Sequence, residues 1–326
     1  IEDGDDHIAD ITPEVFKAHN VKTAFLRKLD RFSGLVLLSG IEALSDAGIE
    51  INDEIADDIG IVIGTADGPI TEIVNFQKLV IEKGIENGSA FMFPNTVYNA
   101  AGGYLSIFTG IKGYNITIAN GFQAGLQSVM YACEAIRRGD EKIMIANGTD
   151  ELTGIEHDLY GNAGFLGNGT DDGMILGEGS VTLILESSIS ADSNGRKKYA
   201  QIAGYATARN SVPYGTVEGT GSALVRAILE AISDAGIKPD DISVLYGFAN
   251  GIKSLDNKLD EAISRIWTDG IEVRNVRIET GEARAASAAL SLSRAAKDME
   301  KLAGDYSMAV SFGAGGIYSA IVLKKA

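Results

Sequence analysis

The hydrophobic pattern of this chain occurs twice. Residues 41–49 read IEALSDAGI and residues 229–237 read LEAISDAGI, so the two segments differ only by two exchanges between Ile and Leu. The residues that follow also correspond, with DDIGIVIGTADG at 57–68 and DDISVLYGFANG at 240–251. Each copy predicts an amphipathic helix that stops at Ala-Gly, and then an apolar strand that ends in a glycine turn. We therefore expect two similar halves.

The strands of both copies are apolar along most of their length. Such strands are buried on both faces, which indicates a parallel sheet covered by helices on each side. The same pattern predicts further strands at 114–119, 142–147, 180–185, 199–205, 307–311 and 318–324. It predicts helices at 70–83, 123–138, 219–234 and 283–302.

A polar segment at 187–198 is the predicted boundary between the halves. We expect an N-terminal half of residues 1–198 and a C-terminal half of residues 199–326. The second half has a predicted strand ahead of its repeated helix, whereas residues 1–25 contain no comparable apolar run. We therefore expect the first strand of the N-terminal half to be absent. Ile1 is not a methionine, which suggests that the sequence begins inside a longer chain.

The composition is that of a globular protein with a large core, since 45% of the 326 residues are hydrophobic and 22% are charged. No apolar run reaches the roughly 18 residues of a membrane span, and the first residues are acidic rather than a basic leader. We expect a cytoplasmic protein that does not associate with membranes.

The charge and the cysteine content exclude several kinds of partner and site. A net charge of −17, with scattered Lys and Arg, opposes binding to nucleic acid. Cys133 is the only cysteine, which excludes disulfides within the chain and Cys-rich metal sites. We expect neither a metal nor a cofactor.

One side chain is predicted at the position of an activated nucleophile. The segment NITIANGFQAG at 115–125 reads as a strand and a turn, followed by a helix that ends in IRRGD at 136–140. Gln123 stands where this buried helix begins. At such a position the helix dipole and the free N–H groups lower the pKa of a thiol and can hold an oxyanion.

Several ordered motifs resemble those of the β-ketoacyl synthases, which have the thiolase-like fold. They are LDRF at 29–32, GMILGEG at 173–179, FANG at 248–251, TGE at 280–282 and SFGAGG at 311–316. The resemblance covers nearly the whole chain. It implies a thiolase-like α-β-α-β-α layered fold of the α/β class, built from two duplicated halves with mixed sheets. It also implies a dimer formed through the strand that contains Asn115, Ile116, Thr117 and Ile118.

The resemblance implies that the catalytic triad of the family is lost here. Members use a Cys nucleophile and two His residues for acyl transfer and decarboxylative condensation, and these positions read Gln123, Asn250 and Glu282. A carboxamide cannot form a thioester, so condensation by covalent transfer is excluded. The family's Lys before the second His motif is Arg277, and its gating Phe is Ala314.

The remaining histidines and the cysteine do not replace the triad. His7, His19 and His157 lie outside both histidine motifs. We expect His7 and His19 to be surface residues and His157 to lie in a loop. Cys133 falls about ten residues into the helix after Gln123, where a packing role is expected.

Gln at the Cys position resembles the chain length factors of type II polyketide and aryl polyene systems. The resemblance implies a heterodimer with an active β-ketoacyl synthase, whose acyl tunnel this chain would complete. An acyl carrier protein would then bind mainly through that partner, because carriers are acidic and this chain is too. We expect the helix after residue 68 to close the tunnel through Ile70, Ile73 and either Phe76 or Gln77, with Phe93 nearby.

Three other interpretations remain open from the sequence. The first is a malonyl-thioester decarboxylase that uses Gln123 in place of Cys. The second is a new activity with Glu282 as general base, against the simpler possibility that Glu282 pairs with Arg277 or Arg284. The third is a structural homodimer without a tunnel.

Overall fold

The computed structural model describes Ala9 and residues 11–167, 172–213 and 221–326 of the chain. Two sheets form the centre of the described part, one in each half. The first half contributes β1 Ile59–Thr65, β2 Asn115–Ala119, β3 Ile143–Asp150 and β4 Gly179–Glu186. The second half contributes β5 Gln201–Arg209, β6 Ile242–Tyr246, β7 Glu272–Arg274, β8 Tyr306–Gly313 and β9 Ile317–Lys324.

Helices connect and cover the strands. Those of the first half are α1 Pro13–Ala18, α2 Thr23–Leu26, α3 Arg31–Asp46, α4 Ile70–Lys83, α5 Ala100–Thr109, α6 Ala124–Arg138, α7 Gly154–Asn162 and α8 Ser188–Ser193. Those of the second half are α9 Ser222–Asp234, α10 Lys253–Ile266, α11 Arg277–Thr280 and α12 Ala285–Asp298.

The two sheets repeat one topology, as the duplicated pattern predicts. Their orders are β2-β1-β3-β4 and β7-β6-β8-β9-β5. In both, the first three strands are parallel and the next is antiparallel, so each sheet is mixed. The second sheet has one more strand, since β5 pairs antiparallel with β9. Among the described residues β4, the counterpart of β9, has no strand on its outer side.

The repeated helices show the effect of this extra strand. Ala231 of α9 is fully buried against β5, whereas the corresponding Ala43 of α3 is half-buried. Asp234 accepts a hydrogen bond from the backbone N–H of Tyr205 on β5, at 3.0 Å. The corresponding Asp46 instead accepts from the hydroxyl of Tyr199, at 3.0 Å. The same sequence motif therefore has different partners in the two halves.

Helices α6 and α12 lie between the two sheets and contact both of them. Helices α3 and α5 cover the outer face of the first sheet, and α9 packs on the second sheet with α10 against it. The order of layers is α-β-α-β-α, so the predicted fold class is confirmed. The strand of each repeat is buried at most positions, as its apolar sequence predicts.

Small residues allow the central layer to pack closely. A Cβ atom on Gly125 of α6 would lie 2.1 Å from the carbonyl oxygen of Ala285 on α12. A Cβ on Gly64 of β1 would lie 2.2 Å from the carbonyl oxygen of Ala124. The backbones of β1, α6 and α12 are thus in direct contact, which fixes where α6 begins.

In the part of the chain that the structure describes, no helix is both long enough and apolar enough to cross a membrane.

Replacing Gly125 by Ala should strongly destabilise the protein. The added methyl group would meet backbone atoms of α12 that cannot move unless the two central helices separate. We expect a loss of more than about 3 kcal/mol in the free energy of unfolding, measured by urea denaturation. Gly103→Ala in α5 is the matched control, because no atom lies within 4 Å of its Cβ position. The control should be neutral or stabilising by about 0.5–1 kcal/mol. Equal stability of the two variants would contradict the close packing.

Candidate functional site

Gln123 ends a short 3₁₀ turn, Gly121–Gln123, that leads directly into α6. Its side chain is fully buried, and its Oε1 accepts a hydrogen bond from Ser319 Oγ at 3.1 Å. Its Nε2 has no hydrogen-bond partner among the described residues. The same nitrogen borders Gly313, where a Cβ atom would lie 3.1 Å away. The position expected of the nucleophile therefore holds an amide with one free donor.

Asn250, Glu282 and Arg277 form a second, connected group. Glu282 Oε2 accepts hydrogen bonds from Arg277 Nε at 2.8 Å and from Asn250 Nδ2 at 3.2 Å. Glu282 Oε1 accepts from the backbone N–H of Arg284 at 2.8 Å. The side chains of Arg277 and Glu282 are 1% and 0% exposed, so this is a buried ion pair. Arg277 is one of the two partners that the sequence offered for Glu282.

The structure does not hydrogen-bond Gln123 to this group. It connects the two regions through aromatic rings instead, with Phe122 and Phe312 centroids 5.1 Å apart and Phe312 and Phe248 centroids 5.3 Å apart. Ala314 is half-buried in the turn between β8 and β9, next to Gly313. Gln123 and the group of Asn250, Arg277 and Glu282 are thus two separate polar centres.

The histidine and cysteine positions are only partly as expected. His19 is 28% exposed and lies 3.3 Å from Glu42, whereas His7 falls outside the described residues. The prediction of a loop at His157 is wrong, because this residue lies in α7. Cys133 is buried in α6, and burial raises the pKa of its thiol to about 12, which makes it unreactive.

The helix predicted to close a tunnel is α4, and it contains no fully buried side chain. Ile70, Ile73 and Phe76 are half-buried, whereas Gln77 is exposed, so Phe76 rather than Gln77 faces inward. Phe93 is 57% exposed and packs on Phe76, with ring centroids 5.7 Å apart.

The strand predicted to form a dimer is β2, which lies at one edge of its sheet. Asn115 is exposed, and Ile116, Thr117 and Ile118 are half-buried. The neighbouring elements α4, the 3₁₀ turn Phe93–Thr96, and α5 form a continuous run that ends on β2. Exposed apolar side chains lie on this run and its connecting segments, namely Ile81, Ile85, Phe91, Phe93, Val97, Tyr98, Ile107 and Tyr114. We call these residues together with β2 the edge surface.

Sequence reasoning missed the most highly connected carboxylate, Asp150 at the end of β3. It accepts hydrogen bonds from Thr65 Oγ1 at 2.6 Å and from the backbone N–H groups of Ala66 and Asp67, each at 3.0 Å. It also accepts from the N–H of Ala285 at 2.9 Å, across the boundary between the halves. Burial raises its pKa to about 6, against the opposing influence of the Arg284 guanidinium. The only sequence signal was an acidic pair at a strand end.

The sequence matches two family descriptions along most of its length. These are "Beta-ketoacyl synthase, N-terminal domain" over residues 5–191 and "Beta-ketoacyl synthase, C-terminal domain" over residues 199–303. The chain belongs to the β-ketoacyl synthase family.

Curated relatives in this family include 3-oxoacyl-(acyl-carrier-protein) synthase 2 of Vibrio cholerae, which is 30% identical over 271 residues and 79% of this chain. The protein of the same name from Staphylococcus aureus strain N315 is 30% identical over 261 residues and 74% of this chain. The matched segments make up 62% and 63% of those two relatives.

Solved β-ketoacyl synthase structures share the fold. One from Burkholderia phymatum has a TM-score of 0.84 at 20% identity, covering 94% of this chain and 85% of that one. The ishigamide ketosynthase/chain length factor has a TM-score of 0.84 at 19% identity, covering 92% and 83% of the two chains. A type II polyketide ketosynthase in complex with its acyl carrier protein has a TM-score of 0.85 at 21% identity, covering 91% and 85%.

Breaking the buried ion pair in this β-ketoacyl synthase relative should be costly. Glu282→Gln leaves Arg277 charged, buried and without its anion, so we expect a loss of about 3–5 kcal/mol in the free energy of unfolding. The double variant Arg277→Met with Glu282→Leu should lose less than either single change, because no buried charge remains.

An exposed pair provides the control for this prediction. Arg294 and Glu279 are 2.9 Å apart but 43% and 67% exposed. Glu279→Gln should therefore change stability by less than about 1 kcal/mol in the same denaturation experiment. Equal costs for Glu279→Gln and Glu282→Gln would show that Glu282 does not balance a buried charge.

Proposed function

We propose that this chain is a catalytically silent subunit that pairs with an active β-ketoacyl synthase and shapes its acyl tunnel. This is the role of a chain length factor in type II polyketide or polyene biosynthesis. The observation that carries the proposal is Gln123, a buried carboxamide where the family places its nucleophile. A carboxamide cannot accept an acyl group from a thioester, whatever its surroundings.

The other two triad positions support the same conclusion. A general base must be accessible to its substrate, but Glu282 is 1% exposed, both of its oxygens accept hydrogen bonds, and one of them lies in an ion pair. Asn250 directs its amide at Glu282 rather than at an open space. The group therefore fills the former site and does not present a reactive atom.

One observation favours a malonyl-thioester decarboxylase as a second candidate. The free Nε2 of Gln123 is a buried donor that could bind the oxygen of an enolate. Against this, an enolate needs further donors, and the guanidinium of Arg277 is already paired with Glu282. We therefore rank this candidate second.

The edge surface supports pairing with another subunit. An edge strand with open backbone groups and a neighbouring apolar surface are features of protein interfaces. Ile81, Ile85 and Ile107 are 82%, 76% and 72% exposed, which is unfavourable in water unless a partner covers them.

The tunnel proposal rests on α4. Because Ile70, Ile73 and Phe76 are only half-buried, they are available to line a space shared with a partner. If these side chains were fully buried, packing in the core would be enough to explain why they are apolar. We propose that these side chains and Phe93 limit the length of the acyl chain.

A carrier protein would meet a chain that is acidic overall but not everywhere. Lys17, Lys22, Arg27 and Lys28 are all exposed on α1, α2 and the adjoining turns. We keep the proposal that an acidic carrier binds mainly through the partner, since long-range repulsion at −17 acts against this chain. This basic segment is where any direct contact would be made.

The purified chain should form no acyl adduct. Incubation with acyl-carrier and malonyl-carrier substrates, followed by intact mass measurement, should show an unmodified protein and no condensation product.

Gln123→Cys should not restore condensation, because Asn250 and Glu282 still lack the functions of imidazole and catalytic groups act together. A stable adduct on the unmodified chain would refute silence, and carbon dioxide release above the blank would favour the decarboxylase.

Pairing should depend on the edge surface. Ile107→Glu places a charge in the expected apolar interface, so the affinity for a co-expressed active synthase should fall at least about tenfold. Ile189→Glu is the matched control, since Ile189 is 80% exposed on α8 and outside the edge surface. Affinity can be measured by titration after separate purification. If only the control variant loses affinity, the interface lies elsewhere.

A further inference from the structure

Helix α7 has an unusual distribution of side chains. Glu156, at 2% exposure, is the only residue of α7 that is fully buried. Ile155 and Leu159 are 37% and 64% exposed, so apolar side chains point outward while a carboxylate points inward. Most surface helices are held by an apolar face, whereas α7 packs on a buried apolar cluster through the half-buried Tyr160. Its attachment to the body must therefore depend strongly on what Glu156 meets there.

Glu156 meets the guanidinium of Arg284, at 3.3 Å from its Nη2. Arg284 is fully buried at the start of α12, and its backbone has a φ of +55°, which is rare for a side chain of this size. Its Nε lies 3.2 Å from Asp67 Oδ2, and its Nη2 donates to the backbone oxygen of Glu151. Its Nη1 has no hydrogen-bond partner among the described residues.

The cluster around Arg284 contains more acids than bases. Three carboxyl groups, those of Asp67, Asp150 and Glu156, lie near its single guanidinium. The carboxyl group of Glu151 is a fourth member, since it lies close enough to Glu156 to repel it. Glu178 is close to Glu151 but is paired with Arg31, so it adds little net charge. If all four acids were ionised, the cluster would carry a net charge of about −3 with only Asp67 partly exposed, which is strongly unfavourable.

Bound protons can reduce the negative charge of this cluster. The described residues do not place three His, Cys, Asp or Glu side chains in a geometry that would hold a metal ion. Burial raises the pKa of Glu156 to about 8 and that of Glu151 to about 7, although Arg284 opposes the first shift. At neutral pH the folded cluster therefore retains protons that the same groups lose in water.

We infer that α7 is a proton-dependent latch, docked while the buried cluster around Glu156 and Arg284 is protonated and released when it is fully ionised. Tyr160 of α7 packs on Phe122, with ring centroids 6.3 Å apart, and Phe122 directly precedes Gln123. Release of α7 would therefore uncover the region of Gln123. This inference does not depend on whether the chain pairs with a synthase.

The direction of the pH effect follows from linkage. A carboxyl group whose pKa is higher when docked than in water binds its proton more tightly in the docked state. Docking is then strongest at low pH. It weakens as the pH rises from near 4.5, the ordinary pKa of Glu, through about 8, the pKa of Glu156 in the docked state. The ionisation of Tyr160 does not contribute in this range, because burial raises its pKa further.

Hydrogen exchange of the whole chain at pH 6 and pH 9 tests the latch. Rates are divided by the intrinsic rates at each pH, so that only protection is compared. The amides of α7 should lose at least about tenfold in protection at pH 9 relative to pH 6, while those of α6 should not. Unchanged α7 protection in the wild-type chain would overturn the proposal.

Two variants test whether the buried cluster causes the pH dependence of α7 protection. Glu156→Gln removes the titration but keeps the helix start, because Gln also fits the capping box that Glu156 forms with Thr153. Its α7 protection should change less than about threefold between the two pH values. His157→Gln on the same helix should keep the wild-type response. If the histidine variant abolishes the response instead, the latch is assigned to the wrong group.

Glu151→Gln provides a second route if Glu156→Gln does not fold. It removes another carboxyl group of the cluster without touching α7, and it should reduce the loss of protection. A full wild-type response in Glu151→Gln would show that the cluster does not titrate as one unit.

Discussion

The structure depends on one buried carboxylate, that of Asp150. Its two oxygens accept from Thr65 Oγ1 and from the N–H groups of Ala66, Asp67 and Ala285. These donors come from the end of β1 and the start of α12, while Asp150 itself ends β3. One side chain thus joins the first sheet to a central helix that belongs to the second half. Because a buried polar group without partners costs about 1–3 kcal/mol, none of these N–H groups could be left unpaired cheaply.

Fixing the start of α12 has consequences for the candidate site. Ala285, held by Asp150, is also the residue whose carbonyl contacts Gly125 of α6. The beginnings of both central helices are therefore set together, and Gln123 precedes one of them while Glu282 precedes the other. The same contacts therefore fix where both side chains lie relative to each other. Within this scaffold Arg277 and Glu282 neutralise each other as a buried ion pair.

The sequence predicted many helices and strands well because these follow local periodicity, whereas the layered fold was predicted from the resemblance to the β-ketoacyl synthases. The strand expected at 180–185 is Gly179–Glu186, and the helix expected at 123–138 is Ala124–Arg138. Helix α7 was missed because its pattern is inverted, with Glu156 inside and Leu159 outside. Asp150 was missed for a different reason. The groups that donate hydrogen bonds to it belong to residues 65, 66, 67 and 285, which are far from Asp150 in the sequence. No sequence pattern shows which donors will face one carboxylate. The sequence narrowed the ion-pair partner of Glu282 to Arg277 or Arg284, but it could not decide between them.

The buried ion pair also limits which side chains positions 277 and 282 can carry. A buried pair contributes little net stability, yet the loss of one member leaves an uncompensated charge. Histidine at position 282 alone would leave the Arg277 guanidinium, which is 1% exposed, without its anion. Lysine at position 277 would keep the charge but lose the planar donor geometry that serves both Glu282 and the carbonyl of Gly247. Each single exchange should therefore lower the stability of the fold. Changes at these buried positions would have to be made together, whereas the exposed edge surface can change one residue at a time.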